Sequence, residues 1–185
     1  MGNAMSGPRR VIVGASGSPG NLSALRYAEH LARAYDAVLI PVHTWTPPGG
    51  EIAERRSPCV QLRCLWTEDA WQRLWYAIDA AWGQLPADLP VRPMVERGAP
   101  GRVLTIIASD PADLLVVGTG RRGSLTRVFS SRVNRYCLAH AQCPVLTVPP
   151  ADASPHAGRG PLWWAFWHRT LTPDRVLRDR GTAST

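Results

Sequence analysis

The sequence predicts an α/β fold: a single domain on a five-stranded parallel sheet with helices on both faces. Three observations predict it. Short β-branched runs alternate with stretches of helical periodicity. Glycine-rich loops follow the first and fourth of those runs. The fourth run, Leu114 to Gly118 (LLVVG), is apolar without alternation, as a central parallel strand buried on both faces requires.

The elements follow in order. Arg10 to Ala15 (RVIVGA) reads as the first strand, and the loop Gly14 to Gly20 (GASGSPG) leads to a helix from near Asn21. That helix sets Leu22, Leu25, Ala28, Ala32 and Tyr35 on one face. Val38 to His43 (VLIPVH) is the second strand, where Pro41 points to a bulge or an unpaired donor. Thr44 to Leu65, broken by Pro47, Pro48, Gly49, Gly50 and Pro58, reads as a long exposed loop. Thr67 then caps a helix whose Trp71, Trp75, Ile78 and Trp82 form a core stripe. Val91 to Val95 is the third strand, and Gly98 to Ala108 a short helix with Pro100 in its first turn. After Leu114 to Gly118 and its loop come a helix from about Ser130 to His140 and a last strand, Val145 to Val148. The organisation is a flexible start over residues 1–8, a domain over 9–149, and a linker with a Trp- and Arg-rich tail over 150–185.

The chain has 185 residues and a net charge of +7, and all 21 basic residues are Arg. Five of them, Arg121, Arg122, Arg127, Arg132 and Arg135, fall in the stretch from Asp113 to Asp152, which holds no acidic residue between its ends. Guanidinium groups suit phosphate, so this cluster marks either a nucleotide or a contact with nucleic acid or an acidic protein. No apolar run is long enough to span a membrane, since Val103 to Gly118 is broken by Asp110 and Asp113. No signal peptide is read at Met1 to Arg10, and a cytoplasmic location is expected. Cys59, Cys64, Cys137 and Cys143 have no metal-ligand spacing and read as free thiols.

Enzyme signatures are lacking. Gly118 to Gly123 matches G-x-G-x-x-G, but a dinucleotide site wants an acidic residue about 20 positions on, and none precedes Asp152. A Walker loop needs lysine, which is missing from the chain. Ser16, His43, Cys137 and His140 are available for nucleophilic chemistry, but no spacing places a base beside a nucleophile, and G-x-S-x-G does not occur around Ser16. Asp110 and Asp113 precede the fourth strand and are expected at its far end. A non-catalytic protein is the reading.

These residues also carry a family resemblance. Val11 to Trp45 (VIVGASGSPGNLSALRYAEHLARAYDAVLIPVHTW) resembles the opening of the universal stress protein family, strand-V-G-V-D-G-S, helix, then a strand ending near L-V-H-V. Arg97 to Leu104 (RGAPGRVL) resembles its G-x-P-x-x-x-L helix start. Asp113 to Pro150 resembles its carboxyl-terminal signature, including the ending H-A-x-C-P-V. The resemblance implies a Rossmann-like domain of the adenine nucleotide alpha hydrolase kind, a stress-response role, an ATP pocket in many members, and homodimers paired through the last strand. Carried across residue by residue, the pocket would comprise Gly14, Ala15, Ser16, Thr44, Gly118, Thr119, Gly120, Arg121, Ser131, Arg132, Val133 and Asn134. Any metal would be a magnesium ion accompanying ATP.

The match has departures. Ser16 stands where ATP-binding members have an aspartate. The family's phosphate loop, G-x-x-G, nine residues, then G-[ST], meets Gly118, Arg121, Ser131 and Arg132. Ser131 adds a side chain where backbone N–H groups approach phosphate most closely. Arg132, expected at the helix start, and Arg121 would supply charge in place of amides. Altered ATP binding and a nucleotide-free regulatory protein both stand. The expected dimer strand is Cys143 to Pro149, with Leu146→Pro and Thr147→Asp as disrupting changes. In the tail, Leu162, Trp163, Trp164, Phe166 and Trp167 form an apolar cluster expected to dock on the domain or to contact a partner.

Overall fold

Val11, Ile12 and Val13 are all 0% exposed, so the first strand, β1 (Arg10–Gly14), is covered on both faces. Each such side chain contributes about 1.5–3 kcal/mol relative to exposure. A computed structural model describes residues 7–119 and 126–150. The remaining elements are α1 (Pro19–Ala34), β2 (Val38–Trp45), α2 (Gly50–Arg56), α3 (Val60–Trp82), β3 (Met94–Arg97), α4 (Pro100–Ile107), β4 (Asp113–Gly118), α5 (Thr126–His140) and β5 (Val145–Val148). The sheet order is β3-β2-β1-β4-β5, and every pairing is parallel. Parallel neighbours need crossovers, which puts helices on the faces. On one face Val11, Val13, Leu39 and Val116 share a core with Leu25 and Ala28 of α1 and Leu74 and Ile78 of α3. On the other, Ile12, Ile40, Val42, Leu115 and Val117 meet Leu104 of α4 and Cys137 of α5.

The chain runs outward from β1 through β2 to β3, then returns to β4 and continues to β5. The order therefore reverses between β1 and β4. At such a switch point the loops diverge and leave a crevice beyond the carboxyl ends of the strands.

Several local expectations are corrected. The stretch read as a long loop contains the end of β2, all of α2 and the first turns of α3. No Gly or Pro occurs between Cys59 and Gly83, so nothing interrupts the helix until Gly83 closes it at φ 76°. Thr67 lies inside α3, where its hydroxyl donates to the Arg63 carbonyl at 2.9 Å. Helix α2 is held by a tie distant in sequence. Glu54, only 7% exposed, accepts from Arg97 at 2.9 Å and from Arg63 at 2.6 Å, and those bonds hold its carboxyl below the usual range. Arg97 also grips Glu51 and lies over the Trp45 ring at 5.7 Å.

Three of the four residues in the α3 stripe face the core: Ile78 is buried and Trp71 and Trp82 pack against the same cluster, whereas Trp75 is 44% exposed and stacks on Trp71 at 6.4 Å. Tyr35 is also exposed, just past the end of α1. Pro41 causes no bulge, because β2 keeps one register along β1 from Val38 to Val42. Leu39 bridges Val91 and Val42 pairs with Met94 at the same offset, so Pro41 faces Pro93. Its missing N–H costs a bond only to β3, which begins at Met94 instead of Val91. Helix α5 starts at Thr126, a turn earlier than expected. All four cysteines are free. Among the described residues no helix is long and apolar enough to cross a membrane. The tail cluster at 162–167 lies outside the described residues.

Candidate functional site

The crevice at the switch point holds a cavity of about 270 Å³. Its walls come from the carboxyl ends of three strands: Gly14 of β1 with Ala15 and Ser16 after it, Val42 to Thr46 on and after β2, and Val117 and Gly118 of β4. Gly98 follows β3; Pro100 and Leu104 of α4, and Val133 and Asn134 of α5, close one side.

Two glycines let these parts meet. A Cβ on Gly118 would overlap the backbone of Gly20, and one on Gly20 would overlap the Thr119 carbonyl. The first turn of α1 thus rests directly on the end of β4, a contact open only to residues without side chains. Asn21 fixes the intervening loop. It is 8% exposed, its side-chain amide donates to the Gly14 carbonyl at 2.6 Å, and its carbonyl accepts the Ser16 N–H. One side chain closes both ends of the turn, replacing backbone bonds the loop cannot make.

His43 is committed to structure. Its Nδ1 donates to the Ala15 carbonyl, which ties β2 to the β1 loop. Burial is the main influence lowering its pKa, with the Arg73 charge adding to it, against the Ala15 bond and the Asp69 charge. The ring is therefore neutral at pH 7. No carboxylate lines the cavity among the described residues. Asp113 sits at the opposite end of β4 with Arg10, whose Nη2 donates to it at 2.6 Å.

Of the expected pocket residues, Gly14, Ala15, Ser16, Thr44, Gly118, Val133 and Asn134 line this cavity. Thr119 is turned to β5, where its N–H donates to the Val148 carbonyl at 2.8 Å. Arg132 is exposed and does not line the cavity. It lies inside α5 and not at the helix start, because the helix begins at Thr126. Ser131 also lies within α5. Gly120 and Arg121 fall outside the described residues, as do the side chains of Arg122 and Arg127 in the arginine cluster. The sequence reading missed Ser18, Asn21, Val42, His43, Trp45, Thr46, Gly98, Pro100, Leu104 and Val117. A signal for three of these existed in Gly98-Ala99-Pro100 and the Leu104 that follows.

The sequence model of the universal stress protein family matches residues 7–149. No curated protein matches the chain. Among solved structures, a universal stress protein in complex with cAMP is 23% identical, with 79% of this chain and 100% of that chain covered, at a TM-score of 0.50. UspA from Lactobacillus plantarum is 20% identical over 79% of this chain and 99% of its own, at a TM-score of 0.56. The hypothetical protein MJ0577 is 16% identical over 78% and 98%, at a TM-score of 0.60. At these identities the structural likeness is one of fold.

Proposed function

Because this chain belongs to the universal stress protein family, we propose that its cavity binds an adenine nucleotide and that the protein acts by binding, without catalysis. The observation that carries the reading is the cavity built by the Gly20–Gly118 contact at the switch point. Its volume of about 270 Å³ lies just under the roughly 300–1,000 Å³ of drug-sized pockets, so it suits one nucleoside and not a dinucleotide. A relative of the same fold is a complex with cAMP. That no carboxylate lines the cavity among the described residues, and that His43 is engaged, argue against hydrolysis. Phosphates would extend toward the loop after Gly118, where Arg121 substitutes charge for a glycine amide, with Arg132 on α5 adding to the field. A stress-response role and a cytoplasmic location accompany this reading.

Denaturing the purified protein and reading the released small molecules by absorbance and mass spectrometry tests it, together with calorimetric titration of ATP and AMP. Adenine nucleotide should be released or bound with measurable affinity. Thr44→Trp, which fills the cavity, should abolish binding. An Arg121→Ala, Arg132→Ala double variant should weaken ATP more than AMP. Binding of neither nucleotide would refute the reading.

Assembly follows from the sheet. β5 pairs with β4 on one side, and the proposed partner for its other side is the β5 of a second copy, run antiparallel across a two-fold axis. The register identifies which residues face outward. Leu115 donates to the Pro144 carbonyl and Thr119 to that of Val148, so Pro144, Leu146 and Val148 bond inward. Leu146→Pro would therefore break the β4–β5 ladder, and Thr147→Pro is the change that removes an edge donor. Light scattering should show a dimer for the natural chain and a shift to monomer for Thr147→Pro and Thr147→Asp. A monomeric natural chain at micromolar concentration would exclude this assembly.

A further inference from the structure

We propose that Asn134 selects the ligand of this cavity for a hydrogen-bond donor, either a ribose hydroxyl or the exocyclic amine of adenine. This inference rests on the nucleotide reading above. The Asn134 side-chain carbonyl is buried and has no hydrogen-bond partner among the described residues. About nine in ten buried polar groups are paired, and an unpaired one is costly to keep. The residue lines the cavity, and the side-chain donors that also line it, such as Ser16, Thr44 and Thr46, leave its carbonyl unpaired. An acceptor left unpaired there is satisfied by an N–H or O–H brought in by the ligand, once the amide turns about its Cβ–Cγ bond to meet it. Phosphate oxygens bring no proton at neutral pH, so the group suits the sugar or the base edge and not the phosphates. The arrangement sacrifices stability in the free protein for discrimination in the complex.

The test titrates four probes into the full chain by calorimetry: AMP, 2′-deoxy-AMP, 3′-deoxy-AMP and the monophosphate of purine riboside, which lacks the amine. The natural protein should bind AMP about tenfold or more tighter than whichever analogue lacks the donor that meets Asn134. A deoxy analogue in that place identifies ribose; purine riboside monophosphate identifies the amine. Asn134→Leu, nearly isosteric, should lose that discrimination, and Asn134→Ala should show the same analogue profile. Without ligand, Asn134→Leu should melt at or above the natural chain, because it removes an unpaired buried carbonyl. An unchanged analogue profile in both variants would overturn the inference, as would a clearly lower melting temperature for Asn134→Leu. Failure of the natural chain to bind any probe overturns the nucleotide reading instead, while the melting comparison still decides whether the carbonyl is unpaired.

Discussion

Gly118→Val is expected to remove much of the stability of the fold, and the cavity with it. Inserting methylenes into a packed interior typically costs about 1–3 kcal/mol, when neighbouring side chains can move aside. Here the obstacle is backbone: the new Cβ would overlap Gly20 and crowd the Asn21 nitrogen at 2.9 Å. Relief requires α1 to lift off β4, and α1 carries Leu25, Ala28 and Ala32, all 0% exposed, in the core on that face. The loss should therefore exceed the side-chain range, a large share of the roughly 5–15 kcal/mol that holds a domain together. Gly118→Ala should do the same in smaller measure, as should Gly20→Ala, which meets the Thr119 carbonyl. Both push apart one pair of backbones, so the double variant should cost less than the sum of the singles. Urea unfolding of the natural chain and the four variants reads this from the midpoints. A Gly118→Ala midpoint equal to that of the natural chain would show that the contact is not tight.

What the sequence disclosed follows the same physics. Steric and hydrophobic constraints act locally, so RVIVG and LLVVG could be read as buried strands, and the glycines after them as a site. Seven of the twelve expected pocket residues line the cavity for that reason. The misses depended on partners far along the chain. The hold of Arg97 on Glu51 spans 46 positions, and nothing near α2 announces it; prolines and glycines around it read as loop. Asn21 looked like a helix start because its two bonds to Gly14 and Ser16 exist only once the turn has closed. Trp75 fitted the helical period as well as Ile78 did, yet only one is covered, because periodicity gives a direction but not the reach of the neighbouring layer. Arg132 was placed by motif spacing, and an earlier helix start moved it off the cavity.

Asp113→Ala should separate stability from binding. The carboxylate is 1% exposed and the Arg10 side chain 38% exposed. It accepts from Arg10 Nε at 2.7 Å, from Arg10 Nη2 at 2.6 Å and from the Asp110 N–H at 3.1 Å. These bonds join the amino ends of β1 and β4, the same two strands whose other ends form the cavity. Removing one partner of a buried pair costs about 3–5 kcal/mol, because the remaining charge loses its counterpart without regaining water. Arg10 keeps partial access to solvent, so the expected loss is at the lower end, about 3 kcal/mol. It should appear as a reduced urea midpoint with little change in slope. AMP affinity, measured where the variant is still folded, should match that of the natural chain, since nothing at that end of the sheet touches the cavity. An unchanged midpoint would mean that the pair contributes nothing net. Lost nucleotide binding at full stability would place Asp113 in the function and overturn its reading as a purely structural acid.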